Sequence, residues 1–244
     1  METTIDEQEI SQFNIPNQDW WDENGSFSSL HKITPCRIEY IIKVIRKNIV
    51  EQNKYKNHKI CNDLKILDIG CGGGLMSEPM SRLGASVTGI DASEKNINVA
   101  KIHSEENGLK IKYNCTSPEN LKNSEKYDVI LNLEVVEHVD NIELYIESCE
   151  KLLAANGLMF TATLNRSLTS YIKAIIGAEY ILRWLPIGTH DWNKFIKPEE
   201  LVNYLSKVKL KTADIKGLNF NPLTNKWKRS NDLSVNYIVC SLKD

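Results

Sequence analysis

The 244-residue chain has no apolar run approaching the ~20 residues that a membrane-spanning helix needs. Cys-x-x-Cys pairs are also missing: Cys36, Cys61, Cys71, Cys115, Cys149 and Cys240 stand apart, which argues against a structural zinc site or a disulfide framework. Reduced thiols in a cytoplasmic compartment are the expectation. The opening METTIDEQEISQ lacks the basic and apolar regions of a signal peptide, and its acidity is opposite to a mitochondrial presequence. There is no excess of one charge, with 30 basic against 32 acidic residues, so a dedicated nucleic-acid binder is disfavoured. Repeats and low-complexity segments are absent. What is there is 41% hydrophobic and 25% charged, enough for one large domain or two small ones. The balance of charge hides a split: residues 1–30 carry seven acids and no base, and residues 64–164 carry 15 acids against 9 bases. Residues 165–244 reverse it, with 13 bases against 7 acids.

Short apolar runs alternate with helical patterns through the middle of the chain. Lys65 to Gly70, Val87 to Asp91, Ile111 to Cys115, Tyr127 to Leu133 and Leu158 to Leu164 read as strands, with helices over Leu75–Leu83, from the N-cap Ser93 to about Asn107, and over Ile142–Leu153. Two more strands, 210–217 and 235–242, follow a helix over 198–207 and are separated by a polar connection. The pattern predicts an α/β class with a doubly wound, mostly parallel seven-stranded sheet. Ahead of it, Ile38, Ile41, Ile42, Ile45 and Ile49 mark an amphipathic helix over 34–50 with Pro35 near its first turn. The expected organisation is a helical arm or lid over 1–63 and a main domain over 64–244, with a cap inserted at 165–197.

The run Leu67-Asp68-Ile69-Gly70-Cys71-Gly72-Gly73-Gly74 lies where the first strand meets the first helix of the main domain. Glycines there let a ligand approach the backbone, and the helix N-terminus offers exposed amides. Asp91 ends the second strand, where a carboxylate can accept hydrogen bonds from both ribose hydroxyls. The two features predict an adenosine-containing cofactor. The dinucleotide pattern Gly-x-Gly-x-x-Gly fails, since its sixth position is Leu75, and no Gly-Lys-Ser or Gly-Lys-Thr follows for a P-loop. Asp68 would repel phosphate but suits the amino group of a methionine moiety. With these residues the chain resembles the class I S-adenosyl-methionine-dependent methyltransferases. The resemblance implies that Gly70 and Gly72 line the donor, that Asp91 holds the ribose and that Leu133 contacts the adenosyl group.

Further segments narrow the resemblance: Trp20-Trp21-Asp22, Leu30 to Arg37, Glu134 to Val139, Thr163 to Arg166, Gly177 to Arg183 and Gly188 to Trp192 fall in order around the core. Together they look like the ubiquinone biosynthesis O-methyltransferase family over nearly the whole chain. That likeness implies methyl transfer to a phenolic hydroxyl of a polyprenylated catechol or quinol, at 2-polyprenyl-6-hydroxyphenol and at 3-demethylubiquinol. It also implies that Arg37 pairs with the methionine carboxylate. It leaves open whether a ubiquinone biosynthetic complex recruits the chain. A small-molecule methyltransferase with a different phenolic or lipid acceptor is the alternative. A nicotinamide-dependent oxidoreductase is weakened by the glycine spacing, and no nucleic-acid partner is expected.

Glu134, Glu137 and His138 stand at i, i+3 and i+4, so a helical turn after the fourth strand would bring them to one side. A phenol of pKa about 10 must lose its proton to attack a sulfonium methyl, and His138, with an ordinary value near 6.5, is the natural base with Glu137 beside it. Glu134, Glu137 and His138 are also a candidate Mg²⁺ set, a role that related family members suggest. Alternatively, one or both glutamates orient His138 or bind the donor indirectly. In the cap, Leu168, Ile172, Ile175 and Ile176 form one apolar stripe and Tyr180, Ile181, Trp184 and Leu185 a second, flanked by Arg166, Lys173 and Arg183. Either both stripes pack on the sheet, or residues 165–191 meet a membrane surface, which would place the chain at the inner face of a membrane. Trp20 and Trp21 are expected to close the acceptor pocket or to staple the arm down.

Overall fold

A computed structural model describes residues 3–4, 20–50, 60–121, 125–171, 191–222 and 224–244. Eight strands form one sheet in the order β3-β2-β1-β4-β5-β8-β6-β7: β1 Lys65–Ile69, β2 Ser86–Asp91, β3 Lys112–Cys115, β4 Tyr127–Leu133, β5 Leu153–Leu164, β6 Leu210–Asn221, β7 Lys226–Ser230 and β8 Asn236–Lys243. Strands β1 to β5 run parallel, and β8 inserts antiparallel between β5 and β6. The α/β, doubly wound expectation holds. The strand count does not: β7 lies in what reads as a polar connection. Its alternation Lys226-Trp227-Lys228-Arg229 has one large apolar residue, because an edge strand packs one face only and uses charge to block further pairing.

Helices cover both faces: α1 Ser28–Ile45, α2 Ser77–Arg82, α3 Glu94–Glu106, α4 Ile142–Leu152 and α5 Pro198–Lys207. Central strands buried on both sides read as continuous apolar runs, which is why β1 and β4 stand out in the sequence. On one face Tyr40, Ile41 and Ile45 of α1 pack with Ile66, Val129, Leu131 and Phe160; on the other, Tyr145 and Ile146 of α4 and Leu201 and Leu205 of α5 pack with Leu67, Ile130 and Met159. Helix α1 is therefore a layer of the sheet's own core, tied further by a Tyr40 hydroxyl bond to Asp214 of 3.1 Å.

Helix α1 also starts earlier than its apolar spacing predicts, placing Pro35 in its interior rather than near its first turn. Phe27, just ahead of it, is buried and stacked on Trp20 at 3.7 Å. Tertiary packing thus begins the helix about two turns upstream, against the one backbone bond that an interior proline forfeits. Of the expected cap, residues 172–190 lie outside the described residues, and with them most of both apolar stripes. The described parts hold two short helical turns, Leu168–Ser170 capped by Ser167 and Trp192–Lys194 capped by Asp191.

Candidate active site

The β1–α2 turn depends on its glycines. Gly70, Gly72 and Gly74 have φ of 66°, 53° and 94°, in the left-handed region where side chains are strained. A Cβ at Gly70 would sit 2.4 Å from Val135 Cγ2, and one at Gly74 2.6 Å from the Tyr113 hydroxyl. The turn therefore lies tight against the segment after β4 on one side and β3 on the other. Gly70→Ala is expected to destabilise the fold by ~1–2 kcal/mol and to weaken S-adenosyl-homocysteine binding at least tenfold by calorimetry; wild-type affinity would overturn the assignment of this turn to the donor.

Two carboxylates flank the turn. Asp68 is buried on β1 and accepts a 2.6 Å bond from Ser77 Oγ at the start of α2. Burial, opposed by the Ser77 bonds and reinforced by nearby Asp91, pushes its pKa up to about 7. Asp91, at the end of β2, is held by the chain itself: Oδ2 accepts from the Gly72 amide at 2.9 Å, and Oδ1 from the Ser93 amide at 2.8 Å and from Asn96 Nδ2 at 3.2 Å. A carboxylate offers about four lone-pair positions, so three are already used. The sequence reading, in which this carboxylate accepts from both ribose hydroxyls, is narrowed to one open position on Oδ2.

The tryptophans fasten the N-terminal segment, the second of the two roles expected for them. The Trp20 ring lies on the glycine turn, so that a Cβ at Gly72 or Gly73 would be 2.4 Å from it, and its indole N–H donates to Asn96 Oδ1 at 3.1 Å. Trp21 donates to the Gly73 carbonyl at 3.0 Å and stacks on His103 at 3.6 Å. His103 in turn bonds buried Glu78 at 2.6 Å. The pair therefore does hold the N-terminal segment down, but on the donor turn.

At the carboxyl edge of β4, Leu133 is buried beside Ala162 of β5. Glu134 follows with φ of 56°, so it precedes the short turn of helix over Val136–His138 rather than sharing it. The i, i+3, i+4 face predicted for Glu134, Glu137 and His138 is corrected accordingly: a left-handed residue breaks the helical spacing. Arg37 is buried and pairs with Glu134 Oε1, which also accepts from Asn236 Nδ2 at 3.1 Å. Arg37 thus already has a carboxylate partner within the chain, while its buried Nε has none. That spare donor fits an anionic group such as the donor's methionine carboxylate. Glu137 is buried, and burial together with the adjacent Glu134 carboxylate holds its pKa well above the usual carboxylate range. His138 sits half-buried on the rim, its amide bonded to the Val135 carbonyl at 2.9 Å.

This arrangement does not fit the Mg²⁺ expectation. Glu134 is already paired with Arg37, its left-handed backbone sets it apart from the Glu137–His138 turn, and among the described residues no three His, Cys, Asp or Glu side chains converge as a metal-ligand set. No membrane-crossing helix occurs among the described residues either. Ser77, Asn96 and Asn236 bond the expected site residues, and no sequence motif marks them. Thr4 is likewise unmarked: its amide and hydroxyl bond Glu119 at 2.9 Å each, and its carbonyl accepts from the Asp140 amide at 3.2 Å, beside the His138 turn. Each of these is brought in by folding from a distant part of the chain or lies where periodicity says nothing.

A methyltransferase-domain family profile matches residues 37–221. The magnesium protoporphyrin IX methyltransferase of Synechocystis, solved with bound S-adenosyl-methionine, superposes with a TM-score of 0.62 at 17% identity over 100% of both chains. The plantazolicin methyltransferase, solved with S-adenosyl-homocysteine, superposes with a TM-score of 0.63 at 20% identity over 97% of this chain and 95% of that one. The ubiquinone biosynthesis O-methyltransferase of Pelagibacter ubique is 54% identical over 99% of each chain, and that of Bartonella tribocorum 50% identical over 97% and 96%. With that identity held over nearly the full length of both chains, this chain belongs to the ubiquinone biosynthesis O-methyltransferase family, enzymes that methylate oxygen from S-adenosyl-methionine.

Proposed function

We propose that the chain methylates a phenolic hydroxyl of polyprenylated catechols and quinols, at 2-polyprenyl-6-hydroxyphenol and at 3-demethylubiquinol. The observation that carries this reading is the full-length identity to relatives bearing that name. When bound, S-adenosyl-methionine supplies an electrophilic methyl group on sulfur. The chain's own work is to hold and to deprotonate. The glycine turn and Asp91 seat the donor, and Arg37 Nε takes its carboxylate. His138, on the rim of β4, accepts the phenol proton, and the oxygen then displaces the sulfonium sulfur from the methyl carbon. Glu137, buried next to Glu134, orients His138 and the Arg37–Glu134 pair. Mass spectrometry of products from 3-demethylubiquinol analogues with graded tails tests the reading. Methylated quinol is expected; donor binding without product from any catechol would move the assignment to a different phenolic or lipid acceptor.

A prenylated acceptor must leave a membrane to reach this site. The same reading places its entry at residues 165–191, on an anionic bilayer surface at the inner face of the membrane. Leu168 at 73% and Tyr171 at 43% are the most exposed large hydrophobics beside that segment, and residues 165–197 carry five bases against two acids. Arg166, one of those bases, is paired with Glu200. Co-sedimentation with anionic vesicles is expected and should fall in Leu168→Glu; equal binding by both proteins, or none by the wild type, would sink the docking surface.

A further inference from the structure

We propose that Trp20 and Asn96 are positioning residues for the methyl donor, so that the N-terminal segment completes the donor site; this rests on the reading of Asp91 as the ribose partner. The indole N–H of Trp20 can only donate. Its 3.1 Å bond therefore fixes which end of the Asn96 amide faces it, the oxygen, and turns the NH₂ end to Asp91 Oδ1 at 3.2 Å. Together with the Ser93 amide on the same oxygen and the Gly72 amide on Oδ2, the relay fixes the plane of the Asp91 carboxylate and leaves one lone-pair position on Oδ2. Both relay residues are buried, at 8% exposure for Trp20 and 6% for Asn96, so water does not replace the bond readily. Trp20 is itself located by stacking on Phe27 and by the His31 ring nitrogen at 2.8 Å from its carbonyl oxygen. The orientation of Asp91 is thus set from a part of the chain 71 residues upstream, outside the donor core.

Packing alone would also make Trp20 matter, since its ring covers the glycine turn, and the two causes separate experimentally. Trp20→Phe keeps a stacked ring but deletes the N–H together with part of the indole; Asn96→Leu leaves the tryptophan in place, keeps volume and deletes the relay, and so separates the two causes, with Asn96→Ala carrying the comparison if the leucine variant does not fold. Calorimetric titration with S-adenosyl-homocysteine is expected to give about tenfold weaker binding in Asn96→Leu, the effect of one lost bond to a charged group, and binding about threefold to tenfold weaker in Trp20→Phe, the effect of one lost neutral bond. The double variant should bind no more weakly than the poorer single, because both act through one chain of bonds. At saturating donor the acceptor KM should stay at the wild-type value. Wild-type affinity in Trp20→Phe and Asn96→Leu, or losses that multiply, would overturn the relay. Asp91→Ala is the control for the underlying reading: if it binds S-adenosyl-homocysteine as tightly as the wild type, the ribose assignment itself fails.

Discussion

His138→Ala is expected to lower kcat by about 10² to 10⁴, the span that positioned general-base catalysis supplies, while S-adenosyl-homocysteine binds with unchanged affinity. The split follows from location. His138 closes the short helical turn after β4, half-buried on the rim, and the contacts assigned to the donor lie elsewhere, at the glycine turn, Asp91 and Arg37. At neutral pH a phenol of pKa about 10 is almost wholly protonated, whereas an imidazole near 6.5 is mostly free to accept. Among the described residues at this edge, Glu134 is already paired with Arg37, and burial beside Glu134 pushes the Glu137 pKa up. The loss should shrink as the assay pH is raised towards the phenol's own pKa, since the substrate then ionises unaided. Turnover retained at neutral pH would remove His138 from the mechanism, and a loss independent of pH would point to positioning rather than proton transfer.

Asp68→Asn is expected to make the folded protein more stable above neutral pH and to weaken donor binding. The sign follows from linkage. Burial raises the Asp68 pKa from 3.8 to about 7, so the native state binds its proton more tightly than the unfolded chain does. The stability this gives is fully present below about pH 3.8, declines as pH rises, and is gone above about pH 7. At ~1.4 kcal/mol per unit the full span is about 4 kcal/mol at most. Asparagine keeps an oxygen for the Ser77 hydroxyl and cannot ionise. In urea unfolding the two proteins should match near pH 4 and diverge in favour of asparagine up to pH 8, the difference cancelling contributions from other carboxylates. Curves that stay parallel across that range would show that Asp68 is not the titrating group. A carboxylate kept where it costs stability is what a binding role for the donor's amino group requires, and the affinity arm of the same experiment tests that role.

Much of the fold was legible because parallel strands buried on both faces leave unbroken apolar runs, and glycines with helix caps mark their ends. Strands β1, β2 and β4, the Ser93 cap, and helices α4 and α5 fall close to their predicted ranges for that reason. The donor turn was legible too, since a left-handed backbone against close neighbours accepts little besides glycine. Edge strand β7 and the early start of α1 were not, because each is decided by what packs against it rather than by its own periodicity.

The sequence by itself determined the α/β class, the glycine turn flanked by Asp68 and Asp91, and the family, since these depend on residues close together along the chain. Only the tertiary structure decided how those groups are arranged. It set Arg37 against Glu134, drew Asn236 in from the last strand, raised the pKa of buried Glu137, and laid Trp20 on the glycine turn. The physical reason is common to all four. Charge state and hydrogen-bond direction are properties of what surrounds a buried polar group, and those surroundings come from parts of the chain that only folding brings together.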